Sequence, residues 1–361
     1  MIRHLYVHVP FCAKICPYCS FYKSEASEGG FDAFVEAVLA EAASHRGTVL
    51  PQTVFFGGGT PTALGNRHLR TLIEGLAGIF DFSDVTEFTV EMNPATIPAS
   101  KASLLRSLGV NRASLGVQSW EPGLLLALGR THSAEAALRS YEVLRSSGFE
   151  NINLDHIFAI PGQTAEDWEQ TLHKTAGLRP EHISAYSLTY EEDTEFFLRL
   201  GRGELKEDPE LDIHLFESAM GFLEGAGFEQ YETSNYALPG RECLHNFAYW
   251  RGNDYLGLGP SAVSTVLGVR SANITDTRLY VESCLSGNFP SVSREVLSQA
   301  DLRLERLALG LRTREGVPSD LARKESVTDC IKEGLLTSAG GRIHLTRKAR
   351  SLADEIVLAL A

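Results

Sequence analysis

The sequence predicts an α/β protein: a partial (βα)6 barrel, then a C-terminal α+β extension and a small winged-helix-like module. Three observations carry this. Apolar, β-branched runs at residues 5–9, 53–56, 87–91, 112–117, 151–156 and 182–187 alternate with amphipathic stretches at 31–44, 67–80, 134–147 and 165–175. Strands separated by helices of 10–15 residues form βαβ units around a parallel sheet. Six units are too few for a closed eight-stranded barrel and fit three quarters of one. Polar residues stand at the C-terminal ends of several strands, where barrel-like sheets carry their chemistry.

In chain order, Met1-Ile-Arg-His-Leu-Tyr-Val-His-Val is the first strand, and it runs straight into a loop with three cysteines. A triple glycine, Gly57-Gly58-Gly59, follows the second strand, and Gly148 ends a helix as glycine commonly does. The repeat fills residues 1–190 and then stops. A helix is expected over 209–225, and residues 230–269 read as a loop-rich block dense in Tyr, Asn, His and Gly. The extension spans 191–294. Residues 295–361 read as helices with a short strand pair around Gly340-Gly341.

Composition narrows the function. The 361 residues are 43% hydrophobic and 22% charged, ordinary values for a globular chain. No apolar run approaches the roughly 18–20 residues that span a bilayer. The first strand leaves no room for a signal peptide, so a cytoplasmic protein is expected. A formal net charge of −13 argues against general nucleic-acid binding, which needs clustered Lys and Arg. Residues 301–361 hold eleven Lys/Arg against nine Asp/Glu, which leaves that stretch at +2 and the first 300 residues at −15.

Cys12, Cys16 and Cys19 stand in the run Phe11-Cys-Ala-Lys-Ile-Cys-Pro-Tyr-Cys. The spacing C-x₃-C-x₂-C offers three thiolates from one loop, enough for three irons of a [4Fe–4S] cluster and one short of a full set. A zinc site would need a fourth ligand, often from a second C-x-x-C or H-x₃-H pair, which the sequence lacks. Disulfides are disfavoured without an export signal. The Cys16-Pro17 pair, a dipeptide associated with regulatory heme binding, would explain only one of the three. Cys243, Cys284 and Cys330 are scattered and read as buried small hydrophobes. With an aromatic, Tyr18, before the third cysteine, the loop resembles the radical S-adenosylmethionine superfamily. That resemblance implies the partial barrel, the cluster, and S-adenosylmethionine chelated to the fourth iron by its amino and carboxylate groups.

Phe55-Phe56-Gly57-Gly58-Gly59-Thr60-Pro61-Thr62 does not match a dinucleotide-binding G-x-G-x-x-G. Alone it is consistent with a tight turn. One strand after the cysteines it resembles the superfamily motif that holds the methionine amino group, which implicates Gly57, Gly58, Gly59 and Thr60. Glu91, Gln118, Arg130 and Asp155 lie at later strand ends, in runs similar to those of the coproporphyrinogen dehydrogenase-like subfamily. The resemblance assigns them to the carboxylate, ribose or nearby groups of S-adenosylmethionine, and Tyr6 to a place beside the sulfonium. The chemistry agrees, since a zwitterionic nucleoside calls for Arg at its carboxylate and acids at its hydroxyls. Structural salt bridges are the rival reading of each. Ile160-Pro161-Gly162-Gln163-Thr164 matches the subfamily's turn, while His156 and Ala159 depart from its usual Leu and Gly. An Ala there is expected to narrow the adenosine pocket.

Two families share this pattern. Oxygen-independent coproporphyrinogen III dehydrogenase is a radical enzyme acting on a porphyrinogen. The related heme chaperone family called HemW binds heme and delivers it. The enzyme carries a fourth cysteine two residues after the third, where this chain has Phe21, and a longer N-terminal arm, where this chain has eleven residues before Cys12. His245-Asn246-Phe247-Ala248-Tyr249-Trp250 matches the H-N-x-x-Y-W motif of the chaperones, flanked by the similar runs at 231–240 and 255–260. The resemblance therefore implies a heme carrier rather than an enzyme. It names His245 as a heme ligand, with Cys243 as a competitor. The implied partners are heme and an apo-hemoprotein client, a respiratory one among them, with a homodimer and a location at the inner membrane periphery as further expectations. Ser261-Ala262-Val263 stands where the family has Gly-Ala-His, which is expected to alter the heme site. The run 309–316 matches the family's tail module. An RNA-modifying radical enzyme, the third class, conflicts with the acidic charge.

Overall fold

The computed structural model describes residues 1–25, 30–289 and 291–361. All six expected barrel strands form, in the order β1 (Ile2–Val9), α1 (Phe31–Ser44), β2 (Val49–Gly58), α2 (Asn66–Ile79), β3 (Glu87–Met92), α3 (Ala99–Ser107), β4 (Arg112–Gln118), α4 (Ala134–Ser146), β5 (Ile152–Phe158), α5 (Ala165–Gly177) and β6 (His182–Ser187). The chain continues through α6 (Pro209–Gly225), β7 (Glu229–Glu232), β8 (Asn235–Ala237), α7 (Leu244–Trp250), β9 (Tyr255–Leu258), β10 (Val263–Val266), β11 (Val269–Asn273), α8 (Thr277–Leu285) and β12 (Ser291–Val296).

These twelve strands make one sheet, ordered β12-β11-β10-β9-β1-β2-β3-β4-β5-β6-β8-β7. Strands β1 to β6 are parallel, and β9 adds a seventh parallel strand beside β1, with His4 opposite Tyr255 and Val7 opposite Leu258. The block 230–269 is therefore not loop-rich as expected, since it holds most of β7 and all of β8, α7, β9 and β10. These strands have three or four residues each, too short to show an alternating pattern of their own. Their pairing is dictated by the edges they extend.

The outer face of the parallel sheet is apolar. Leu5, Val7, Val54, Phe56, Val90, Leu115 and Leu154 are all fully buried. The opposite face is polar, with Thr53 beside Glu87, Thr89 beside Arg112, and Glu91, Ser114, Asn153 and His182 in register across four strands. Helix starts are locally encoded. Thr164 and Asp167 form a capping box on α5, and Asp208 caps α6 just before Pro209. Trp168 of α5 is fully buried against α6, where its Nε1 donates to the Leu215 carbonyl at 3.0 Å.

The last segment forms α9 (Gln299–Leu311), β13 (Val317–Pro318), α10 (Lys324–Lys332), β14 (Leu336–Ala339), β15 (Arg342–Leu345) and α11 (Ala353–Leu360). Its antiparallel sheet runs β13-β15-β14. The hairpin turns at Gly340 and Gly341, φ 58° and 77°, a conformation that suits glycine. Leu307, Leu311, Val317, Ile343 and Leu360 belong to a core of its own.

Replacing Trp168 with Ala removes a buried indole and the second hydrogen bond to the helical Leu215 carbonyl. Urea unfolding should show a loss of about 3–5 kcal/mol with α5 and α6 loosened.

Candidate functional site

The carboxyl ends of β1 to β6 surround a cavity of about 500 Å³, and the cysteine loop forms part of its wall. Residues Phe11–Cys12 pair with Ser24–Glu25, and the Cys19 amide donates to the Cys16 carbonyl at 3.2 Å, so the loop is folded around its own thiols. The glycine run fastens it. The Gly59 amide donates to the Val9 carbonyl at 2.9 Å and the Thr60 amide to the Phe11 carbonyl at 2.8 Å. A Cβ on Gly59 would lie 2.6 Å from the Pro10 backbone, and one on Gly58 (φ 103°) would lie 2.5 Å from the His8 ring. The glycines are required by this close approach of two strand ends.

Cys12, Cys16, Cys19, Gly58, Gly59, Thr60, Glu91, Gln118, Arg130 and Asp155 all line this cavity. Two of the residues expected at the cofactor do not. Gly57 lies behind it, where a Cβ would meet Glu91 at 3.0 Å. Tyr6 points its hydroxyl to His8 Nδ1 at 3.0 Å. Glu91 accepts from the Gly58 amide at 3.2 Å, and its pKa is pushed up to about 8 by burial and then by the nearby Asp155. Asp155 accepts from the Ser114 hydroxyl at 2.9 Å and the Asn153 amide at 2.7 Å. Burial raises its pKa against those hydrogen bonds. Burial likewise pushes up the thiols of Cys12 and Cys19.

Arg130 is the strongest sign that a ligand belongs here. Its Nη2 donates to the Gly116 carbonyl at 3.0 Å and its Nη1 lies 3.6 Å from Cys16 Sγ, while its buried Nε has no partner. An unpaired buried donor on a guanidinium beside three thiols fits a carboxylate at the cluster's edge. Among the described residues no three His, Cys, Asp or Glu side chains converge as ligands of a single ion.

The H-N-x-x-Y-W run is helix α7, and it closes the polar inner face of the sheet. Glu87 holds its start, accepting from the amides of Leu244 at 2.7 Å and His245 at 3.0 Å. A carboxylate at a helix N-terminus meets the exposed amides and the positive end of the dipole. Arg112, 1% exposed, lies within electrostatic reach of Glu87 and Cys243. Cys243 is fully buried, with its thiol 3.5 Å from Glu87.

His245 is fully buried and both ring nitrogens are engaged, Nδ1 with Thr53 at 2.7 Å and Nε2 with the Tyr249 hydroxyl at 2.9 Å. Thr53 also meets His4 Nδ1 at 2.9 Å, and His4 Nε2 meets the Asn253 amide at 3.3 Å. One assignment satisfies every group: Asn253 donates to His4, His4 to Thr53, Thr53 to His245, and His245 to Tyr249. Both imidazoles are neutral in that chain, and burial pushes the pKa of His245 down to about 3. In this geometry His245 orients Tyr249, and both of its ring nitrogens are engaged within the protein.

The face of α7 turned the other way borders a second cavity of about 750 Å³, reaching to α9. Asn246, Tyr249 and Trp250 line it. Tyr186, at the end of β6, lines both cavities and divides them. The H-N-x-x-Y-W run supplies part of this second cavity, and the rest of its walls come from residues 186, 232–235, 252–255, 265–270, 299–309 and 321.

A family model described as the Radical SAM superfamily matches residues 6–175, and one for the HemN C-terminal domain matches 297–352. The chain is 33% identical to the heme chaperone HemW of Bacillus subtilis over 98% of both chains. It is 35% identical to that of Lactococcus lactis over 97% of this chain and 95% of the other. This chain belongs to the HemW family. Escherichia coli HemW is 32% identical over 98% and 96% of the two chains. Escherichia coli coproporphyrinogen III oxidase (HemN), described as a radical SAM enzyme, has the same fold at 23% identity. Its TM-score is 0.84, covering 99% of this chain and 89% of the other. Membership implies a [4Fe–4S] cluster and S-adenosylmethionine.

The departures at Ala159 and Ser261 from the motifs they resemble have a backbone meaning. Ala159 (φ 57°) and Ser261 (φ 63°) both stand in left-handed conformations where the family has Gly, so each carries modest strain. Neither residue lines either cavity, and nor does Val263 in β10.

Glu87→Ala should cost about 3–5 kcal/mol in urea unfolding, because it removes the α7 cap and strands buried Arg112. Glu91 gives a pH signature in the cofactor-free protein. Its folded pKa of about 8 exceeds the ordinary carboxyl value of 4.5, so its contribution is complete below 4.5 and is lost as pH rises to 8. Wild-type stability should therefore fall across that window relative to Glu91→Gln, in matched denaturation series.

Proposed function

We propose that the protein is a heme chaperone: it binds heme and transfers it to apo-hemoproteins, on a radical S-adenosylmethionine scaffold. The observation that supports this most is similarity over nearly the whole chain, barrel, α7 block and tail module included, to proteins named heme chaperone HemW. Phe21, where the related dehydrogenase has a fourth cysteine, sits 67% exposed at the cysteine cavity and supplies no thiolate.

In this reading Cys12, Cys16 and Cys19 hold the cluster, which when bound supplies an open iron for S-adenosylmethionine and a source of single electrons. Arg130 takes the cofactor carboxylate through its unpaired Nε. Gly58, Gly59 and Thr60 offer backbone to the methionine end, and Glu91, Gln118 and Asp155 meet the nucleoside side. Tyr6 acts from behind by holding His8, and Gly57 leaves room for the Glu91 carboxyl. The barrel (1–190) serves cofactor binding, the extension (191–294) meets heme, and the tail module (295–361) adds to the heme site and docks the client. No helix of the described residues is long and apolar enough to cross a membrane. The chaperone acts in the cytoplasm and reaches membrane-bound clients from that side.

Anaerobic reconstitution followed by heme titration in the Soret band should give saturable binding. Coproporphyrinogen III with S-adenosylmethionine and a reductant should release no carbon dioxide. Decarboxylation would make the protein a radical enzyme instead. Cys12→Ala should lose the [4Fe–4S] absorption after the same reconstitution, and a full cluster spectrum in that variant would overturn the ligand assignment.

A further inference from the structure

We infer that the cavity between α7 and α9 takes a planar tetrapyrrole, and that Arg303 and Arg306 of the tail module hold its carboxylates. The inference rests on the heme-carrier reading and adds the place and the chemistry of recognition. At about 750 Å³ the cavity lies in the range that encloses a sizeable organic ligand. Tyr249, Trp250 and Tyr255 give it aromatic walls, and Leu302 of α9 adds aliphatic surface. Flat apolar faces of this kind match a macrocycle.

The charges select for carboxylates. Arg303 and Arg306 are three residues apart on α9, so they share one helix face with Cβ atoms about 5–6 Å from each other. Both line the cavity, and among the described residues neither forms an ion pair. Arg303 donates to the backbone carbonyls of Asp320 and Leu321, and Arg306 is exposed. Arg270, by contrast, is already clamped to Glu305 at 2.8 and 2.9 Å. The other carboxylate of the lining, Glu232, is turned into its own loop, accepting from the Ser234 amide at 3.2 Å and from Asn235. Arg306 is uncommitted and Arg303 keeps Nη1 free beside its two backbone contacts, so this pair on the basic module of an acidic chain can meet two adjacent propionates.

The lining contains no His, Cys or Met among the described residues. Recognition therefore rests on ring faces and carboxylates, with no nitrogen or sulfur ligand to the iron. This separates the proposal from ligation by His245 and sets its test. Wild-type protein, reconstituted with its cluster, is titrated with heme, iron-free protoporphyrin IX and protoporphyrin IX dimethyl ester. Protoporphyrin should bind within about fivefold of heme, and the ester about tenfold or more weaker than the free acid.

Arg303→Glu/Arg306→Glu should weaken heme binding about tenfold and abolish the difference between acid and ester. Arg306→Gln removes no backbone contact, so it should weaken binding without changing the melting temperature. Heme binding with no preference for the free acid, and with the double variant unaffected, would overturn this inference and leave the carrier reading standing. A wild-type protein that binds neither heme nor protoporphyrin would overturn both.

Discussion

The inner face of the parallel sheet is polar and sealed from water, and the rest of the structure answers to that constraint. Most donors and acceptors there find a partner, because an unpaired buried polar group costs on the order of 1–3 kcal/mol; Thr89 Oγ1 and Arg112 Nε are exceptions. Glu87 is satisfied only if a helix start presents amides to it, and α7 does so through Leu244 and His245. His4, Thr53, His245, Tyr249 and Asn253 close into one directional chain. Docking α7 in this way seals the base of the sheet and leaves the cysteine cavity at the strand ends. It also turns the helix's far face outward as one wall of the second cavity. Tyr186, 39% exposed, is the shared partition.

The cysteine cavity obeys the same logic with the opposite outcome. Its groups are buried yet incompletely paired: Arg130 keeps a free Nε, and Glu91 keeps its proton up to a pKa of about 8 beside Asp155. Unpaired donors and shifted carboxyls in one concavity mark a place where a ligand completes the set. The glycines belong to this design at one remove. They let two strand ends touch, and that contact ties down the thiol-bearing loop.

Much of this was legible in the sequence. The six barrel strands follow from runs such as 112–117, whose alternate residues pack under helices. The cysteine spacing and the polar strand ends located one cavity before any coordinates. Strand β9 was not legible, because Tyr255-Leu-Gly-Leu is too short to declare itself and is held as a strand by β1. The role of His245 was not legible either, since a ligand histidine and a core histidine look alike until both ring nitrogens are seen to be engaged. Ala159 and Ser261 looked like changes to a binding pocket, and their meaning lies in positive φ angles that no residue list displays. The second cavity is a tertiary product, assembled from β6, α7, β9 to β11 and a module that begins more than 100 residues after the barrel strands end.

The central claim is that cluster chemistry and cargo binding occupy separate cavities. Equilibrium heme titration of the Cys12→Ala/Cys16→Ala/Cys19→Ala variant against the cluster-loaded wild type tests it most directly. Equal affinity and an unchanged Soret spectrum are the predicted result. Loss of heme binding in the properly folded variant would place heme on the cysteine loop and contradict the account.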